Sequence, residues 1–75
     1  MTKGEYRVEI NPDDGYLVAQ IKRHAADLID LIDSIEEPKD AKWGGEIVRL
    51  KAQAQREFEG ATMWAVKAAT KPKME

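Results

Sequence analysis

A stripe of small residues in the C-terminal third limits this chain most. Ala54, Phe58, Ala61, Ala65 and Ala68 recur at steps of three and four, so on a helix they share one face, with Trp64 and Lys67 as an i,i+3 pair beside it. Small residues let a neighbouring helix approach closely, and a helix with such a face is stable only when something covers it. One other long amphipathic segment exists in the chain. Self-association is therefore the first expectation.

Size points the same way. Seventy-five residues make one domain, 1–75, and a chain this short buries a small share of its surface unless something extra holds it together. With no cysteine there is no disulfide or thiolate metal site, and the single His24 cannot build a metal cluster alone. Oligomerisation or very good helix packing remains. The charged fraction of 35% and apolar fraction of 43% fit a folded helical protein rather than a disordered one. Formal net charge is -2, but acids crowd the first half and lysines and arginines the second, which favours head-to-tail pairing of copies. No apolar run reaches membrane-spanning length and no secretion signal opens the chain, so a cytoplasmic protein without membrane contact is expected.

Residues 5–10 alternate polar and apolar, which predicts an extended arm or short edge strand over 1–10, carrying Tyr6. Asn11-Pro12-Asp13-Asp14 reads as a helix start with Asn11 as N-cap and two acids at the positive end of the dipole. Helix one is expected over 12–36, its broad apolar face built from Leu17, Val18, Ile21, Ala25, Leu28, Ile29, Leu31, Ile32 and Ile35, and Pro38 stops it. Helix two is expected over 41–70 with Asp40 as a candidate N-cap, Gly44-Gly45 near its start and the stripe from Ile47 and Leu50 to Ala68 as its core face. A lysine-bearing tail, 71–75, follows. The fold class is all-α: an antiparallel helical hairpin with a short N-terminal arm, assembling into a helical homo-oligomer.

Convergent catalytic residues are scarce. Ser34, Thr2, Thr62 and Thr70 have no histidine or other base at motif spacing, so no enzymatic activity is expected. Gly44-Gly45 lacks the lysine of a P-loop and the third glycine of a dinucleotide fold, although a helix start beside Lys42 could still offer donors to an anion. Asp27, Asp30 and Asp33 read as a solvated face rather than a metal site, and no metal or cofactor is expected. No helix carries a concentrated basic face, which argues against binding to DNA or RNA polymers.

Aromatics and lysines are the better lead. Tyr6, Tyr16, Trp43 and Trp64 could stack on planar bases, and Lys22, Lys42, Arg56 and Lys67 could meet phosphates. Trp64 reads more simply as core or interface, and Trp43 as either a hairpin cap or a ligand wall.

The combination of an arm tyrosine, Ile21-Lys22 leading an apolar helix through Leu28-Ile29-Asp30, then Trp43 and the closing run Phe58 to Thr70, resembles the phage anti-CBASS sponge family, whose hairpin is shared with a Thoeris anti-defence sponge. The resemblance implies small all-helical proteins that interlock as oligomers, typically hexamers, and sequester cyclic nucleotide signals of bacterial defence cyclases without cleaving them. It further implies that Tyr6 stacks on a base and Lys22 meets a phosphate of a cyclic dinucleotide, in pockets shared by two protomers. Lys67 matches the basic position that some members use for cyclic trinucleotides, where it keeps the charge of arginine but not its planar fork. The alternative is a helical-hairpin oligomer that binds a protein partner through its apolar stripe.

Overall fold

The computed structural model describes residues 1–39 and 42–71; the expected N-cap Asp40 and the tail beyond Lys71, including Lys73, lie outside the described residues. Three helices follow in order: α1 (Lys3–Arg7), α2 (Tyr16–Asp33) and α3 (Gly44–Thr70). α2 and α3 form the antiparallel hairpin, and α1 packs on α2. The all-α expectation holds.

The arm departs from the extended form expected of it. Residues 1–10 hold a short helix, not a strand, because Thr2 and Glu5 form a reciprocal capping box: the Thr2 hydroxyl accepts from the Glu5 amide at 3.1 Å and the Glu5 carboxylate from the Thr2 amide at 2.7 Å. Two further features fix the helix in place. Gly4 lies so close to α2 that a Cβ there would sit 2.0 Å from the Ala26 carbonyl oxygen, and its amide donates to Asp30 at 2.7 Å. At the other end the Glu9 amide donates to the Tyr6 carbonyl and the Ile10 amide to the Glu5 carbonyl, with Glu9 itself left-handed at φ 57°. That is a Schellman ending built on a glutamate instead of glycine.

Helix one also begins later and ends earlier than expected. Asn11 does not cap it; its side chain accepts from the Asp13 amide at 2.9 Å and its backbone closes a turn with Asp14, so the local Asx geometry wins over helix initiation. Gly15 takes the N-cap position without a side-chain bond. At its far end α2 has no basic residue in its last turn, and Lys51 of α3 supplies the missing cation: its ammonium donates to the carbonyls of Asp33 at 2.9 Å and Ile35 at 2.7 Å and to the Glu37 carboxylate at 2.7 Å. All three of its donors are used.

The core is small. Val8, Ala26 and Ile29 form its centre, with Ile10 and Ala25 packed against it. α3 turns polar residues toward α2: Lys51, Gln55 and Thr62 are its buried positions, and the Gln55 amide donates to the Ile29 carbonyl at 3.2 Å. The expected core stripe is thus displaced. Leu50, Phe58, Ala61 and Ala68 are exposed in the single chain, while Ile47, Ala54 and Ala65 are half-buried. The cause lies in α2, whose last carbonyls and Asp33 need donors: the polar face of α3 provides them, with Lys3 of α1 sharing Asp33. The molecule is elongated and thin, with extents of 53 × 21 × 12 Å. Among the described residues no helix is long and apolar enough to cross a membrane.

Candidate functional site

Where the end of α1 meets the C-terminal half of α3, two adjoining grooves open, of about 360 and 400 Å³. The first has Val8, Met63 and Val66 as apolar lining and Arg7, Lys22 and Lys67 as its cations. The second is lined by Tyr6, Arg7, Glu9 and Glu59. Arg7, Glu9 and Glu59 belong to both, so Tyr6 and Lys22 lie on either side of one shared ridge.

Local structure explains each placement. α1 is held to α3 by Arg7, whose guanidinium meets the Glu59 carboxylate at 3.0 Å, and to α2 by Glu5 against Arg23 at 2.7 Å and Lys3 against Asp33 at 2.9 Å. These ties leave Tyr6 75% exposed, where an aromatic ring is open to a stacking partner. Lys22 is the opposite case. Its side chain is only 13% exposed, and its ammonium donates to the Glu9 carbonyl and to the Asp14 carboxylate, each at 2.9 Å. The left-handed turn at Glu9 is thus followed directly by a carbonyl that holds a lysine.

Lys67 stands over the Trp64 ring at 5.2 Å from its centroid, and the pair helps to line a third, smaller groove of about 140 Å³ with Gly60 and Met63. Lys67 therefore reaches the groove of Lys22 on one side and an exposed indole on the other. Trp43 is not brought to this site. It precedes α3 at the hairpin connection, half-exposed and under the Lys42 ammonium at 5.4 Å, and some twenty residues of helix, roughly 30 Å, separate it from the part of α3 that faces Lys22. Within one chain it serves the connection, where Gly44 leaves no room for a Cβ against the Pro38 carbonyl.

The electrostatics are those of acids held ionised. The Arg23 guanidinium, with the Thr2 amide, lowers the Glu5 carboxyl to about 2; the Lys22 ammonium lowers Asp14; the Lys3 ammonium, with Gln55, lowers Asp33. Hydroxyls are committed to backbone: Ser34 donates to Leu31, Thr62 to Phe58 and Thr70 to Val66. Among the described residues no group of three His, Cys, Asp or Glu could hold a metal ion. The arrangement can stack a planar base and meet an anion.

Arg7, Glu9, Asp14 and Glu59 have no counterpart in the site read from sequence. Arg7 and Glu59 stand 52 positions apart, and Asp14 and Lys22 belong to different elements, so no local spacing marks either pair. The Thr2-to-Glu5 capping box was the one usable signal for the arm.

The family model described as Acb2/Tad1, hairpin domain, matches residues 3–70, which takes in all three helices. No match was found among curated proteins or among solved structures. A single helical hairpin with its N-terminal helix folded back on it, matched over nearly its whole length, belongs to the Acb2/Tad1 hairpin-domain family.

Proposed function

We propose that this protein is a phage anti-defence sponge that binds cyclic di- and trinucleotide second messengers in the host bacterial cytosol, sequesters them without cleavage and so blocks CBASS immunity. The observation that carries the reading is the placement of an open tyrosine ring and a lysine-bearing groove on two sides of one ridge, in a hairpin of the matching family. Tyr6 stacks on a base, Lys22 meets a phosphate, and Lys67 contacts cyclic trinucleotides. A cyclic dinucleotide is approximately two-fold, so two copies of the chain can present the same tyrosine and lysine twice. Copies then close what one copy leaves open, and Trp43 joins a ligand wall only from a second protomer. The homo-oligomer, a hexamer by family resemblance, is supported by the small core and by the exposure of Leu50, Phe58 and Trp64. To hold a signal present near 1 μM, binding must reach about 0.1 μM, or about −9.6 kcal/mol.

The exposed stripe also favours a second reading, a hairpin oligomer that binds a protein partner through Leu50, Phe58 and Trp64. Titration calorimetry with a panel of cyclic nucleotides separates the two. Tyr6→Ala and Lys22→Ala abolish dinucleotide binding while leaving the assembly intact, Tyr6 alone contributing about 1–3 kcal/mol per stacked base. Lys67→Ala selectively weakens trinucleotides. Unchanged affinity in both Tyr6→Ala and Lys22→Ala would refute the site.

A further inference from the structure

Lys22 is not a bare cation. Its side chain is largely covered, and two of the three donors of its ammonium are occupied, one by the Glu9 carbonyl and one by the Asp14 carboxylate, both at 2.9 Å. Lys22 is among the residues that line the groove beside α3 and Asp14 is not, and the two bonds leave the ammonium one further donor. Asp14 is also built in. Its Oδ2 accepts from the Asn11 amide at 3.2 Å, and its own amide donates to the Asn11 carbonyl at 3.0 Å, so the turn before α2 sets the carboxylate where it stands.

A carboxylate in that position cancels most of the field that Lys22 would project toward an anion. We infer that Asp14 is the selectivity-setting counter-ion of Lys22, acting through the lysine rather than on the ligand: it keeps the groove from holding simple phosphates and makes retention depend on a ligand that also brings a base to Tyr6. The inference rests on the cyclic-nucleotide reading above and adds to it a residue that the reading does not use. Its physical content is a competition. A free phosphate gains little from an ammonium already neutralised by an ordered intramolecular partner, whereas a ring that stacks draws its affinity from the aromatic face and needs from Lys22 one hydrogen bond. Asparagine at 14 keeps an oxygen acceptor for both Lys22 and the Asn11 amide and removes only the charge, so the two roles of the carboxylate can be separated.

The test is calorimetry on wild type, Lys22→Ala and Asp14→Asn with two probes, inorganic phosphate, which has no base, and the tightest member of a panel of 3′,5′-cyclic dinucleotides, at several salt concentrations. Asp14→Asn should tighten the cyclic dinucleotide by about three- to tenfold, should give measurable binding of inorganic phosphate where wild type gives none, and should steepen the salt dependence of binding. Merely structural damage at the turn would weaken binding and leave the salt slope alone. Equal or weaker dinucleotide affinity in Asp14→Asn, with melting temperature and salt slope as in wild type, overturns the inference while leaving the function standing, provided Lys22→Ala still loses the ligand. Lys22→Ala binding as wild type does overturns this inference and the role of Lys22, and wild type binding no member of the panel overturns the function and this inference with it.

Discussion

Replacing Lys51 with methionine removes the cation that closes α2 while keeping a similar hydrocarbon stem. The side chain is 7% exposed, and its ammonium serves the Asp33 and Ile35 carbonyls together with the Glu37 carboxylate. Hydrogen bonds from a charged donor contribute about 1.5–3 kcal/mol each, and the segment after α2 is exposed enough for water to take over the carbonyls, which puts the two backbone bonds near the low end. Glu37 is half-exposed, so its pair adds little. Methionine also spares the desolvation of a buried ammonium, and the net loss is about 2 kcal/mol. For a chain of this size that lowers the melting temperature by roughly 8–16 °C, read by circular dichroism at one fixed protein concentration. A change below about 3 °C, smaller than the loss of even one of the two backbone bonds, would mean that α2 does not depend on α3 for its C-terminal cap.

Three further outcomes are expected. Because the Glu5 carboxyl is lowered to about 2 in the folded chain against an ordinary 4.5, its contribution is present above pH 4.5 and is lost as pH falls toward 2; a melting temperature that is flat from pH 6 down to about 2 would contradict the Arg23 pairing, and Glu5→Gln should flatten part of the decline. Gly4→Ala places a methyl against the Ala26 carbonyl and should detach α1, so hydrogen exchange speeds up over residues 3–8 while α2 and α3 keep their protection; unchanged exchange would show that the contact is not tight. Multi-angle light scattering should return a mass that is a multiple of 8.5 kDa at micromolar concentration, whereas a stable monomer would remove the reason for the open stripe.

Much of the fold was legible because its strongest signals are local. Pro38 and the periodicity of α2 and α3 are read directly from spacing. The arm was misread because six alternating residues outweighed a four-residue capping box that actually forms. The rotation of α3 was hidden for a different reason: Lys51 and Gln55 turn inward to serve acceptors on α2 more than fifteen positions away, and helical periodicity ranks residues by greasiness, not by which carbonyls need donors. Site residues divided in the same manner. Tyr6, Lys22 and Lys67 could be proposed from residue type and family resemblance, but their surroundings, the Arg7–Glu59 tie and the Asp14 counter-ion, exist only once three elements meet.

The most direct measurement mixes the protein with an equimolar cyclic dinucleotide above the dissociation constant, filters off the free nucleotide, then heats the retained fraction and analyses what it releases by chromatography and mass spectrometry. A protein that sequesters without cleaving leaves the filtrate depleted of nucleotide, and heating returns the full amount as the intact ring. A filtrate that still holds all the nucleotide, or a heated fraction that yields a linear dinucleotide, would contradict sequestration.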